Sequence, residues 1–154
     1  MMLQLTESSD WIRRRITQDL AEVESRFAAE LHSDLACVND LVRHIEQFRG
    51  KMLRPMLVLV SGYATRQDDA DAIDLDAPIS EPHLAMATVI EMVHMATLVH
   101  DDILDDARTR RRGQTIHMRN GTESAVMLGD YLFSHAMHLC AMRTPQTAGQ
   151  MLSR

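Results

Sequence analysis

From residue 11 to residue 36 the apolar positions Ile12, Ile16, Leu20, Val23, Phe27 and Leu31 recur every three or four residues, the spacing of one buried helical face. They predict a first helix from Trp11 to about Ala36, with Ser9 or Asp10 as its cap. Leu41, Val42, Ile45 and Phe48 predict a shorter second helix over Asn39–Phe48, which Gly50 breaks. Pro55 suits the first turn of a third helix that ends near Thr65. Met56 to Val60 is apolar on every side, so this helix is expected to be buried all round. Ser80 caps and Pro82 opens a fourth helix, from Glu81 to about Asp106, on the order of 35–40 Å long. Its middle is apolar on most faces, which makes it the central helix of an all-α helical bundle. A fifth helix starts at Gly121-Thr122, with Thr122 as its cap, and Gly129 within it permits another backbone to come close. Thr144-Pro145 starts a sixth, which the chain leaves at Arg154. Two polar stretches separate these elements. Arg66 to Pro82 reads as an acidic surface loop carrying Asp68, Asp69, Asp71, Asp74 and Asp76 without EF-hand spacing, and Ala107 to Asn120 as an arginine-rich loop.

Composition narrows the picture. The 154 residues are enough for one domain with its own core, and 45% hydrophobic content with only 4% aromatics and 12 methionines makes that core aliphatic and thioether-rich. A net charge of −6 argues against a nucleic-acid binder that works by phosphate neutralisation. Cys37 and Cys140 stand alone, with no CxxC pair, which suggests neither a zinc site nor a disulfide framework and fits a reducing cytosol. Residues 1–15 lack the apolar stretch of a signal peptide, and the long apolar run carries Glu91 and His94. The reading is a cytoplasmic, soluble chain without a transmembrane segment.

The candidate chemistry lies at the end of the central helix, in His100-Asp101-Asp102-Ile103-Leu104-Asp105-Asp106. Residues four apart share a helical face, so Asp101 sits over Asp105 and Asp102 over Asp106. Aspartate is a poor helix former, like charges at this spacing repel, and the C-terminal end of a helix is its negative pole. Something cationic has to compensate. Either Mg²⁺ does so, typically held by one or two carboxylates plus substrate phosphates, or Arg108, Arg110, Arg111 and Arg112 neutralise the aspartates directly. His94, Leu98, Asp101 and Asp105 fall on one stripe, where His94 is either a core histidine or part of the site. Lys51 and Arg54 flank the start of the third helix, where free N–H groups favour an anion; the alternative is a solvated basic turn. Glu91, if buried, needs a partner, and Lys51 or Arg54 supplies one.

Taken together, Gly50-Lys51-Met52-Leu53-Arg54-Pro55, His94 seven residues before Asp101-Asp102-Ile103-Leu104-Asp105, Arg110-Arg111, and Gly129-Asp130-Tyr131-Leu132 resemble the N-terminal half of the trans-isoprenyl diphosphate synthases (polyprenyl synthetases), from about Asp40 onward. The resemblance implies an isoprenoid-synthase-type fold, here incomplete, with residues 1–154 as the N-terminal half of a single domain. It implies Mg²⁺ held by Asp101 and Asp105 with Asp102 close by. Lys51, Arg54, His94 and Arg111 would hold the diphosphate of isopentenyl diphosphate, and Arg110 that of an allylic prenyl diphosphate. Asp101, Asp105, Arg110 and Lys51 are then the catalytic set, and the family is usually dimeric. Side chains on a helix lean towards its N-terminus, so the turn before Asp101 is expected to line the pocket below the diphosphates. Ala96 and Thr97 are small where short-chain members often carry an aromatic floor, implying a product of geranylgeranyl length or longer. Met92, Met95, Met127 and Phe133 either wall a deeper tunnel or pack the core.

The chain departs from the family pattern in two places. Arg112-Gly113-Gln114-Thr115 replaces the usual Gly-Lys-Pro-Thr, and the second aspartate-rich motif, with its lysine, threonine and glutamine, is absent, Asp130 being the one aspartate after Asp106. The expectation is a truncated product or one part of a split enzyme, inactive without the C-terminal half or a partner chain. Two other readings stand beside chain elongation. A class I terpene cyclase shares the aspartate chemistry, but it needs one diphosphate site and leaves Lys51, Arg54 and Arg111 without a task. A non-catalytic helical subunit of a heteromeric prenyltransferase fits the missing motif and leaves the intact aspartates without one.

Overall fold

The computed structural model describes residues 2–48, 50–65, 78–111 and 113–152; the acidic loop read at 68–76 and Arg112 lie outside them. The architecture is all-α: α1 (Met2–Glu30), α2 (Ala36–Glu46), α3 (Leu53–Ala64), α4 (Glu81–Leu104), α5 (Ile116–Asn120), α6 (Thr122–Arg143) and α7 (Gln146–Leu152), with a small antiparallel hairpin, β1 (Thr109–Arg110) and β2 (Gly113–Gln114), between α4 and α5. The central helix is α4. It packs chiefly along α6, and also against α3 and α1. By length and composition α4 is apolar enough to cross a membrane, yet half of its most apolar window is buried inside the fold, as in a core helix.

Two clusters form the core. The larger joins Phe27, Ile45, Phe48, Met92, Val99 and Leu132, and the smaller joins Val23, Met52, Leu59, Ile79 and Ala87. The first helix differs from expectation at both ends. It begins at Met2, so that Ser9 and Asp10 lie within it rather than at its start, and it stops at Glu30 rather than Ala36. The stop has a local cause. The Asn39 side chain accepts from the Ser33 N–H at 2.9 Å and donates to the Ser33 carbonyl at 2.7 Å, satisfying the backbone of a turn and letting α2 start early, at Ala36. A tie invisible in the periodicity joins α1 to α3: the Tyr63 hydroxyl donates to buried Asp19 at 2.5 Å and accepts from Arg15 at 3.1 Å.

Helix α3 is not buried all round. Pro55, Leu59 and Gly62 face inward, whereas Leu53, Leu57 and Val60 are exposed, because α3 leans chiefly on α4 and α1. Helix α4 ends two residues before the expected Asp106. Asp106 adopts a left-handed conformation (φ 47°), its N–H meets the Ile103 carbonyl at 3.3 Å, and the Ala107 N–H meets that of Asp102 at 2.9 Å. This pair of bonds is a Schellman stop, with aspartate where glycine is usual. The arginine-rich stretch is ordered as β1, β2 and α5 rather than as an open loop. Gly121, not Thr122, caps α6; its φ of 88° suits glycine, and Thr122 is already helical.

Gly129 brings α6 against α4. A Cβ there would lie 2.0 Å from the His100 Nε2. Replacing Gly129 with alanine is therefore expected to cost about 1–3 kcal/mol by overpacking, read as a lowered midpoint in urea unfolding.

Candidate active site

The link from α2 to α3 makes one wall of a cleft. Phe48 anchors it in the core, and Met52, itself buried, holds the left-handed backbone (φ 51°) from which α3 starts. Lys51 and Arg54 stand on either side of that kink. Helix α4 supplies the facing wall with Glu91, His94, Met95 and Leu98, and the β1–β2 turn supplies Arg111. The cleft measures about 410 Å³. Lys51, Arg54, His94 and Arg111, predicted from three separate stretches of chain, thus line one cavity; Arg110 does not line it. Glycine makes the meeting of walls feasible. A Cβ on Gly50 would sit 2.8 Å from an Arg111 terminal nitrogen, and one on Gly113 would sit 2.8 Å from the Phe48 ring.

His94 is half-buried on α4. Burial holds its pKa below the ordinary 6.5; the charges of Arg54, Arg110 and Arg111 push the same way, and Asp101 pulls against them. The imidazole is consequently neutral at pH 7 and ready to donate one N–H without adding a like charge to the arginines.

The four aspartates divide by environment. Asp102 is buried and meets Arg110 in a fork, with Nε 3.0 Å from both carboxylate oxygens and Nη2 2.6 Å from Oδ1. This hydrogen bond to Asp102 is the first cause holding the Arg110 guanidinium above its ordinary pKa. Asp102, expected in the metal set, directs its oxygens to the arginine fork in this structure, so direct neutralisation holds for this one aspartate. Asp101 and Asp105 are exposed, and their side chains make no hydrogen bond or ion pair with the described residues. Asp106 is exposed too, with the His117 Nε2 3.7 Å from its Oδ1.

Among the described residues no three His, Cys, Asp or Glu side chains form a metal cage. Mg²⁺ asks for less, since it keeps several waters and takes the rest of its oxygens from one or two carboxylates and from phosphate. Asp101 and Asp105, with open lone pairs beside a cationic cleft, fit that requirement.

The residues proposed for product length part company. Ala96 is buried in the core with Met92 and Val99, while Thr97 is exposed on the His94–Asp101 stripe, its hydroxyl donating to the His94 carbonyl at 2.8 Å. Ala96, expected to line the pocket, is thus placed in the helix packing, and Thr97 on the exposed face. Of the four residues weighed as tunnel walls, Met92 is core, Met95 is buried and also lines the cleft, and Met127 and Phe133 stand exposed on α6.

Three bracing residues escaped the sequence reading. Buried His44 donates through Nε2 to the Gln114 carbonyl at 2.7 Å and accepts from Arg119 at Nδ1 at 2.6 Å. Fully buried Thr115 donates to the Ala107 carbonyl at 2.7 Å, and its N–H bonds the Arg108 carbonyl at 3.2 Å. His117 reaches the Thr115 hydroxyl through Nδ1 at 3.1 Å. Together they fix the base of the hairpin that presents Arg110 and Arg111. The one available signal was His44, a polar position on the otherwise apolar face of α2. Left-handed backbone concentrates here as well: Met52, Asp106 and Arg111 are the non-glycine cases among the described residues, and all three border the cleft or the aspartates.

The sequence profile described as polyprenyl synthetase matches residues 36–153. Octaprenyl diphosphate synthase of Escherichia coli (strain K12) is 29% identical over 128 residues, which cover 83% of this chain and 36% of that protein. Heptaprenyl diphosphate synthase component 2 of Geobacillus stearothermophilus is 31% identical over 139 residues, covering 90% of this chain and 40% of that one. Among solved structures, polyprenyl synthase from Caulobacter crescentus CB15, complexed with calcium and isoprenyl diphosphate, superposes with a TM-score of 0.78 at 28% identity, covering 94% of this chain and 41% of that one. The chain spans 36% to 40% of the length of these two curated relatives.

Proposed function

The chain belongs to the polyprenyl synthetase family, and on that premise we propose that it carries the isopentenyl diphosphate cradle and the first metal-holding carboxylates of a polyprenyl diphosphate synthase. The observation that carries this reading is the meeting of Lys51, Arg54, His94 and Arg111 in one cleft, at the end of α4 that presents Asp101 and Asp105. Arginine offers a planar fork to phosphate and lysine a mobile point charge, a combination suited to a diphosphate.

The reaction proposed for the whole protein breaks the allylic C–O bond, joins the allylic carbon to the isopentenyl double bond, and releases a proton that the departing diphosphate accepts. Bound Mg²⁺ supplies Lewis-acid stabilisation of the leaving diphosphate. The chain's own residues do the remainder: Lys51, Arg54 and Arg111 neutralise and orient the isopentenyl diphosphate, neutral His94 donates to it, and Arg110 steadies the allylic diphosphate with the guanidinium edge that Asp102 leaves free. Met95 and Leu98 give the cleft an apolar side that excludes water from a reactive cation. The named relatives make octaprenyl and heptaprenyl products, which supports a product of geranylgeranyl length or longer. One relative is component 2 of its enzyme, which supports a second reading, a heteromeric synthase. The exposed Val126, Met127 and Phe133 on α6 support pairing with another subunit, a second copy in the simplest case.

The test is the Michaelis constant for isopentenyl diphosphate in a synthase completed with the C-terminal length of a curated relative. Loss of one charge-assisted bond, in Lys51→Ala or Arg111→Ala, corresponds to about 1.5–3 kcal/mol and a rise of about 10–100-fold. Unchanged constants in both variants would overturn the cradle.

A further inference from the structure

Among the described residues His117 carries an orphaned buried atom: its Nε2 is closed off from solvent and has no hydrogen-bond partner. Only 8% of the side chain is exposed. A polar atom buried in this way is costly unless something meets it. The other ring nitrogen shows what is missing. Thr115 donates its single hydroxyl hydrogen to the Ala107 carbonyl at 2.7 Å, so the same oxygen is left to accept from His117 Nδ1 at 3.1 Å. In the neutral ring the proton therefore sits on Nδ1, and Nε2 is a bare lone pair. The nearest charge it faces is a carboxylate, Asp106 Oδ1 at 3.7 Å. Two electron-rich atoms so placed repel unless a cation lies between them.

We propose that His117 Nε2 and Asp106 Oδ1 are the two protein ligands of a site for a divalent cation of the zinc type, which clips the end of α4 to the start of α5. Bonds from such an ion to imidazole nitrogen and to carboxylate oxygen are each about 2.0–2.2 Å, so one ion reaches both atoms across 3.7 Å at an angle of roughly 125° between them. Water completes the coordination. Imidazole suits zinc, copper, nickel or iron rather than magnesium, which separates this site from Asp101 and Asp105. The Thr115 hydroxyl is the outer partner that holds ring and tautomer, as ligating histidines require. Asp106 is 85% exposed and leaves an entry from solvent. The segment between the two ligands carries Arg110 and Arg111, so the ion closes the loop that presents them. The site stands on this geometry and does not depend on the diphosphate reading.

Both ligands belong to the 154-residue chain, which serves for the test. Titrated with Zn²⁺ in excess Mg²⁺ and followed by the ring-nitrogen resonances of its histidines, it is expected to show His117 Nε2 moving from the lone-pair to the metal-bound position, with slower hydrogen exchange at the hairpin amides. Asp106→Asn, where asparagine tolerates the left-handed backbone, is expected to weaken this binding at least about tenfold. Asp101→Asn leaves it unchanged. Zinc taken up at other histidines with the His117 resonance unmoved would overturn the site, as would a protonated Nε2 at pH 7, the sign of a plain imidazolium–aspartate pair, or undiminished affinity in Asp106→Asn. Binding without any change in hairpin exchange would overturn the clip. His117→Ala should abolish the effect; should that variant fail to fold, exposed Asp106→Asn carries the comparison.

Discussion

Replacing Asp101 or Asp105 with alanine in the completed synthase is expected to lower kcat by about 100–1,000-fold while leaving the fold as stable as before, or slightly more so. The loss follows from removing preorganised stabilisation of charge that develops on the leaving diphosphate, an effect of that order when a single group is deleted. The stability forecast follows from position. Asp101 lies in the last turn of α4, at the negative end of its dipole, and Asp105 sits just beyond. An exposed carboxylate there costs about 0.3–1 kcal/mol. Steady-state rates over a range of Mg²⁺ concentrations, set beside urea unfolding, check both halves. Retained turnover with a large loss of stability would show the aspartates to be structural.

Arg110 carries the largest expected effect on stability. Removing one partner of a buried ion pair costs about 3–5 kcal/mol, because the other charge is left uncompensated. Here the Asp102 side chain is 8% exposed and that of Arg110 28%, so solvent screening reduces the expectation for Arg110→Ala to about 2–3 kcal/mol. Once Arg110 is gone, Asp102→Ala removes the stranded carboxylate and restores part of that stability. A double-mutant cycle by urea unfolding should return a coupling of about 1–3 kcal/mol. Strict additivity would show that the fork contributes nothing to the fold. Arg110→Lys separates charge from geometry, since lysine keeps the former and cannot reproduce the two-pronged contact.

These two predictions concern neighbouring aspartates with opposite fates, and the difference was not legible in the chain. Periodicity places Asp101, Asp102 and Asp105 on a helix end and says they crowd; it cannot say that the Arg110 hairpin folds back over one of them. That outcome depends on contacts between α2, α5 and the hairpin, through His44, Thr115 and Phe48, none of which a local pattern reveals. The long amphipathic stretches were readable because burial dictates their spacing, as the inward-facing Val23, Phe27 and Leu31 illustrate. Helix ends were less so. Asn39 stops α1 from six residues beyond Ser33, and Asp106 ends α4 in a conformation more often given to glycine. Ala96 and Thr97 show the same limit at finer grain: adjacent and similarly small, they differ in exposure because one lies on the packed face of α4 and the other does not.

Left-handed backbone at a residue other than glycine costs roughly 1–2 kcal/mol, and Met52, Asp106 and Arg111, the non-glycine cases among the described residues, all hold it beside the cleft or the aspartates. Tension of this kind persists only where the surroundings over-determine it, and here buried Met52 and Phe48 and the hydrogen bonds of Thr115 supply that restraint.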